Sequence, residues 1–215
     1  MQIDLFESNQ SNQNEGNTAL AMPDAKVFYL PIAFSQAQSD QYYHQLYELN
    51  WQQVSIEVYG KSVLTPRLQS FYGDEGLSYT YSNTLFKALP WQAPLLNIKR
   101  QVEKLSRDIL GYEPIYNAVL GNLYRNGQDN MGWHADDETE LGKECVIASL
   151  SFGATRDFKF KHKSTGEQLN LALTHGSLLL MAGTTQTFWY HALPKRMKVN
   201  SPRFNLTFRQ IINAR

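Results

Sequence analysis

From Ile115 to Ile211 the chain runs as short apolar or alternating segments closed by turn residues, a pattern that leaves few folds open. Ile115–Tyr124 reads as a strand, Glu144–Phe152 is apolar and stops at Gly153, and Arg156–Lys161 alternates cleanly before the turn Ser164-Thr165-Gly166. Leu169–Leu173, Ser177–Ala182, Thr187–His191 and Phe204–Ile211 complete the set. Short strands at regular spacing predict a β-sandwich or jelly roll with helices packed outside. Because side chains alternate across a strand, the last segment puts Arg203, Asn205, Thr207 and Arg209 on one face and Phe204, Leu206 and Phe208 on the other.

The first half supplies the helices. Residues 1–25 are rich in Gln, Asn and Ser and poor in large apolar residues, which predicts a disordered tail. Lys26–Leu30 reads as a strand, and a helical stretch capped by Ser35 or Ser39 follows. Residues 54–59 alternate as a half-buried strand, Gly60-Lys61 offers a tight turn, and Val63-Leu64 begins a return strand interrupted at Pro66. Tyr59 then sits near a hairpin tip. After the turn-rich Gly73–Gly76, Leu77, Tyr79 and Tyr81 share one strand face, either as core packing or as a wall on which a base stacks. Pro94 opens the strongest helix, with Leu95, Ile98, Val102, Leu105 and Ile109 at helical spacing until Gly111 ends it. The expectation is a mainly β (α+β) protein with flanking helices. One domain spans 26–215, with the helices in 26–114 and the strand-rich core in 115–215.

Composition narrows the setting. No apolar run approaches the roughly 20 residues of a membrane helix, and the N-terminus lacks a basic-then-apolar leader, so no membrane partner is expected. Cys145 is the one cysteine. An intrachain disulfide and a cysteine-based zinc site are excluded, and the setting expected is reducing and intracellular. Formal charge is balanced overall, yet residues 150–215 hold ten Lys and Arg against Asp157 and Glu167. That basic third is either a solvated surface or a seat for a polyanion, with Lys159–Lys163, Arg156, Lys195, Arg196 and Lys198 as the phosphate-contact candidates.

Chemistry enters at His134-Ala135-Asp136. On an extended strand the imidazole and the carboxylate project to the same side, and a distant His191 completes a 2-His-1-carboxylate set suited to non-haem Fe(II) with open positions. Chance alone gives roughly 0.2 His-x-Asp pairs in such a chain, so the pair needs support. Asn122 and Tyr124 share a strand face upstream. Two arginines facing inward with Asn205 and Thr207 are costly unless they meet an anion, and the guanidinium fork suits a carboxylate. An iron site beside a carboxylate clamp predicts 2-oxoglutarate as co-substrate. Trp133 and Trp189 flank ligands and are expected to pack against them, and His175 is expected to be structural.

Ordered motifs then accumulate: Asn122-Leu123-Tyr124, His134 through Glu138, Ala148 through Gly153, Arg156-Asp157-Phe158, His175 through Leu178, Trp189-Tyr190-His191 and Arg203 through Arg209. On these the chain resembles the AlkB family of Fe(II)/2-oxoglutarate dioxygenases, in the DNA-repair branch of the mammalian homologues two and three. The likeness covers roughly residues 50–213, and Tyr59-Gly60-Lys61, Pro66-Arg67, Tyr72-Gly73-Asp74 and Tyr79-Thr80-Tyr81-Ser82 resemble that branch's nucleotide-recognition lid. The resemblance implies a double-stranded β-helix (jelly roll) with an N-terminal lid. It implies Fe(II) on His134, Asp136 and His191, and 2-oxoglutarate on Asn122, Tyr124, Arg203, Asn205, Thr207 and Arg209. It further implies Tyr81 stacking on a flipped base opposite His134, Asp137 (with Glu138 beside it) facing that base, and Tyr59 filling the gap in the duplex. Tyr59 stands where the family commonly has Phe.

The implied activity is oxidative demethylation of N1-methyladenine and N3-methylcytosine in single- or double-stranded DNA by a monomer. 2-Oxoglutarate and O2 become succinate and CO2, and formaldehyde is released. Flipping the base brings its methyl group to the metal. A carboxylate at Asp137 suits these lesions because both are cationic. Rival readings keep the core but change the substrate to RNA or a protein side chain, or remove turnover and leave a jelly-roll binding protein.

Overall fold

The computed structural model describes residues 18–58, 61–81 and 84–212. In order it holds β1 (Thr18–Ala19), β2 (Lys26–Leu30), α1 (Gln36–Gln45), β3 (Ser55–Val58), β4 (Lys61–Leu64), β5 (Leu68–Gly73), β6 (Ser78–Tyr81), β7 (Thr84–Lys87) and β8 (Leu89–Pro90). Then come α2 (Ala93–Leu110), β9 (Ala118–Tyr124), β10 (Met131–His134), β11 (Ile147–Gly153), β12 (Arg156–His162), β13 (Gln168–Leu173), β14 (Ser177–Ala182), α3 (Thr185–Phe188), β15 (Trp189–Leu193) and β16 (Arg203–Arg209).

The strands form an eight-stranded sheet, β1-β2-β14-β11-β16-β9-β5-β8, and a four-stranded sheet, β10-β15-β12-β13. β16 lies near the middle of the large sheet, between β11 and β9. Its alternation is realised as the sequence demands. Phe204, Leu206 and Phe208 are fully buried on the outer face with Leu150, Phe152 and Val119, against Leu95, Ile98 and Val102 of α2. Each such side chain contributes about 1.5–3 kcal/mol on leaving water. The opposite face looks across at the small sheet, where Phe158, Phe160, Leu173 and Trp189 pack on Val27, Tyr29, Leu179 and Met181. This two-sheet stack is the expected jelly roll.

Local signals account for both long helices. Ser35 caps α1 through a capping box with Gln38, which holds a helix that has little apolar stripe of its own. α2 starts with Pro94 in its first turn and ends where Gly111 takes a left-handed φ of 79°, as expected.

Several expectations are corrected. Ordered chain begins before Lys26, because Thr18–Ala19 pairs with β2 and Met22 is buried. Thr187 and Phe188 belong to α3 rather than a strand: the chain turns at Gly183 and the Thr185 hydroxyl bonds to the Ala182 carbonyl. β5 has no sequence alternation because both of its faces are covered. Trp189 packs as expected, but Trp133 is half exposed.

Arg156 and His162 do not belong to a phosphate-contact surface, because both are buried. The Arg156 guanidinium donates to the carbonyls of Asn126 (3.1 Å), Asp129 (2.9 Å) and Pro194 (2.7 Å), tying β12 to two loops. Arg196 is ion-paired with Asp157. Arg156→Met should therefore destabilise the protein by about 3 kcal/mol or more, since three carbonyls lose a charged donor. Urea unfolding would show this as a lower midpoint with an unchanged slope, whereas a shift under about 0.5 kcal/mol would mean that water replaces the guanidinium.

Candidate metal and anion site

His134 closes β10 and pairs in register with His191 on β15, so two adjacent strands bring the imidazoles together with ring centroids 4.1 Å apart. Asp136 follows in the loop after β10, rather than on the strand itself. One ligand atom from each of His134, Asp136 and His191 lies within 4.8 Å of the others, a spacing that suits one metal ion. The Nδ1 of His134 bonds to the Gly132 carbonyl at 2.9 Å, which leaves Nε2 toward Asp136 and the cavity. Phe158 stacks on the His191 ring at 5.3 Å and fixes its plane.

Electrostatics favour the metal-ready forms. Burial, with the neighbouring His134 adding to it, pushes His191 down to about 3, so its ring is neutral and keeps a lone pair. Burial likewise lowers His134, against the pull of Asp136. Burial alone would raise Asp136, but Arg209, His191 and His134 together hold it below the usual carboxylate range. Arg209 donates to its Oδ2 at 3.1 Å.

The inner face of the large sheet supplies the rest of the wall. β16 sets Arg203 opposite Tyr124 and Asn205 opposite Asn122 on β9. All six residues expected on sequence grounds to hold a co-substrate line the cavity: Asn122, Tyr124, Arg203, Asn205, Thr207 and Arg209. Asn205 is fixed by Ser149 Oγ (2.8 Å) and the Leu150 carbonyl (2.9 Å). Arg203 donates to Ser151 Oγ at 2.8 Å and lies 5.4 Å from the centre of the Tyr124 ring. Among the described residues no carboxylate pairs with it, and burial pushes its guanidinium down to about 10.

Sequence reasoning missed Arg67 as a wall residue. It is buried, lines the cavity, and donates from Nε to Asn122 Oδ1 at 2.8 Å. The clue was an arginine just ahead of a segment that buries both faces. Three arginines thus surround a cavity with one carboxylate, leaving two positive charges in excess. That excess is costly without an anion.

Asp137 and Glu138 stand apart. Neither lines the cavity. Asp137 is largely exposed and ion-paired with Lys163 at 3.2 Å, and the Glu138 carbonyl accepts the Leu141 N–H. Lys61 begins β4, and Tyr79, Thr80 and Tyr81 lie on β6, in two separate two-stranded sheets. Tyr59, Gly60 and Ser82 lie outside the described residues. His175 is structural as expected: its Nδ1 accepts the Gly153 N–H at 2.8 Å and its Nε2 meets Asp40 at 3.1 Å. Cys145 is partly buried, and burial pushes its thiol up to about 11, which rules out a resting nucleophile.

Comparison with known proteins follows the geometry. The 2OG-Fe(II) oxygenase superfamily matches residues 26–209. The DNA oxidative demethylase ALKBH2 of Homo sapiens is 40% identical over 193 residues, covering 84% of this chain and 72% of its own, and that of Bos taurus is 40% identical with 67% of its own length covered. Alpha-ketoglutarate-dependent dioxygenase alkB homolog 3 of Homo sapiens is 41% identical over 156 residues, of which the chain spans about half (52%). The solved structure of OsALKBH1 superposes with a TM-score of 0.65 over 90% of this chain at 16% identity, which speaks to the fold.

The charge excess makes a stability prediction. Arg203→Met should raise the melting temperature of the ligand-free protein, by about 1 kcal/mol or more of added stability, because a buried unpaired cation is replaced by an apolar chain. The same variant should lose the thermal shift that a small dicarboxylate gives the native protein. A lower melting temperature with the shift intact would show that Arg203 is not an anion seat.

Proposed function

This chain belongs to the 2OG-Fe(II) oxygenase superfamily and, within it, to the AlkB family, and we propose that it removes N-methyl groups oxidatively from N1-methyladenine and N3-methylcytosine in DNA. The observation that carries the reading is the pairing of a three-residue metal seat with a cavity in which three buried arginines face one carboxylate. Only a co-substrate that is both a metal chelator and a dianion answers both, and 2-oxoglutarate is one.

His134 Nε2, the Asp136 carboxylate and His191 hold Fe(II), as their neutral and ionised states allow. Arg209 already touches Asp136, so it serves the metal end of 2-oxoglutarate. Arg203, beside Tyr124 and Ser151, serves the far carboxylate. When bound, iron(II) supplies the redox chemistry that couples conversion of 2-oxoglutarate and O2 to succinate and CO2 with hydroxylation of a C–H bond. On an N-methyl base the product is an N-hydroxymethyl hemiaminal, which releases formaldehyde and the repaired base without a dedicated acid–base pair. Asn205, Thr207 and Asn122 orient the co-substrate, and the stacked Phe158 shields His191 from water.

The base reaches this site flipped from its strand. Tyr59, Gly60, Lys61, Tyr79, Thr80, Tyr81 and Ser82, the residues that resemble the family's nucleotide-recognition lid, receive it. Asp137 attracts its positive charge with Glu138 nearby, and to do so must exchange its contact with Lys163. The enzyme acts inside the cell as a monomer, with residues 26–215 as one dioxygenase domain, lid in 26–114 and jelly-roll core in 115–215. Among the described residues no helix is long and apolar enough to cross a membrane.

Matched single- and double-stranded oligonucleotides carrying N1-methyladenine or N3-methylcytosine, with RNA and peptide counterparts, would be incubated with Fe(II) and 2-oxoglutarate in air. Mass spectrometry should show demethylated DNA with stoichiometric succinate and formaldehyde, and no succinate with any oligonucleotide would end the proposal. His134→Ala and Asp136→Ala should each abolish turnover in this assay. Asp137→Ala should lower kcat/KM for cationic lesions roughly five- to tenfold more than for a neutral N-methyl base. Equal losses on both would remove Asp137 from substrate choice.

A further inference from the structure

The loop that carries Asp136 is gripped from outside the cavity. Its backbone N–H donates to Gln186 Oε1 at 3.0 Å, and its carbonyl receives the Cys145 thiol at 3.8 Å. Gln186 is buried, and its amide orientation is fixed from the other side, because Nε2 contacts the Met181 sulfur at 3.5 Å. The backbone carbonyl of the same Gln186 accepts Lys163 Nζ at 2.8 Å, and that ammonium also reaches Asp137 Oδ2 at 3.2 Å. Lys163 is itself seated 4.9 Å from the centre of the Tyr190 ring, next to His191.

Gln186 lies on α3, which is tied to the large sheet: Thr185 Oγ1 accepts the Lys26 N–H at 3.0 Å and donates to the Ala182 carbonyl at 2.6 Å. α3 passes directly into β15, which carries His191. One residue therefore joins the segment bearing the carboxylate to the segment bearing the second imidazole, with Lys163 closing the link outside. We infer that Gln186 is a positioning residue for the metal seat, holding the Asp136 peptide at a fixed height over His191, and that Lys163 reinforces this hold. The inference rests on the metal reading of His134, Asp136 and His191.

A glutamine side chain at this place has a geometric reason. The Asp136 N–H points away from the cavity, and burial denies it water, so an acceptor must come from the fold. A partner that holds the backbone of a ligand residue fixes where its carboxylate can stand, and outer partners of ligands set affinity as well as rate.

The test is Mn(II) affinity, read on the full chain from the electron paramagnetic resonance of the free ion, with no nucleic acid present. Gln186→Met should weaken Mn(II) binding by about 10- to 100-fold. Gln186→Glu keeps an oxygen for the Asp136 N–H and should stay within roughly threefold of the native protein. Lys163→Met, at the outer end, should weaken binding by roughly two- to fivefold. Native affinity in a folded Gln186→Met, while Asp136→Ala loses the ion, would overturn the inference and leave the metal seat standing. If Asp136→Ala also binds as the native protein does, the metal reading itself fails. Should Gln186→Met not fold, native affinity in Lys163→Met would overturn the link through Lys163 and with it the inference.

Discussion

Everything in this molecule depends on one strand keeping its register. β16 turns Phe204, Leu206 and Phe208 into the helix-covered core and Arg203, Asn205, Thr207 and Arg209 into the gap between sheets. A slip of one residue would exchange the two sets, burying arginines under α2 and emptying the cavity of its charge. β9 and β11 hold the register from both sides, and each contributes to both faces: Asn122 beside Leu123, Ser149 beside Leu150. The free energy released by the outer face thus offsets the cost of an inner face that is unfavourable when empty.

That inner face is unbalanced in a definite way. Arg67, Arg203 and Arg209 confront Asp136, and burial keeps the two imidazoles neutral. A divalent ion and a dianion entering together leave the excess positive charge unchanged. A cationic base would then approach a positive site, with the acids Asp137 and Glu138 outside the cavity. Asp137 lies in the segment that immediately follows Asp136, and its contact with the Lys163 ammonium is exposed. Exposed pairs of that kind contribute little, about 0–1 kcal/mol, so the carboxylate is free to change partners.

The sequence made the alternating elements legible and hid those whose environment is symmetric. β12, β16 and the helix α2 were readable because one face differs from the other, and β14 because it is an unbroken apolar run. β5 was not, since Phe71 packs with Leu120, Leu141 and Ile211 on one side while Leu68 and Tyr72 join the cluster of Trp51 and α2 on the other. The clustering of His134, Asp136 and His191 and the polar wall of the cavity followed from spacing and resemblance together. Arg67 and Gln186 did not, because each acts through a partner far along the chain, at Asn122 and Asp136. Arg156 misled by its residue type: it shares the buried face of β12 with Phe158 and Phe160, and its long chain reaches buried carbonyls.

The same contrast divides the site into two mechanical halves. The metal end is fixed by a long-range bond from the Asp136 N–H to the Gln186 side chain and a local one from His134 to the Gly132 carbonyl, with both imidazoles on the four-stranded sheet. Beside it, β3–β4 and β6–β7 each form a two-stranded sheet of their own. Isolated two-stranded pairs have little stability of their own, and here β6–β7 leans on the sheet through Leu77 and Phe86, which pack with Phe71. Oxidation of a methyl group needs its reactants held to within a fraction of an ångström, whereas accepting a flipped base from different strand contexts needs a surface that adjusts. A metal seat between the two main sheets, beside two narrow hairpins, puts a fixed site and segments of low local stability into one small domain.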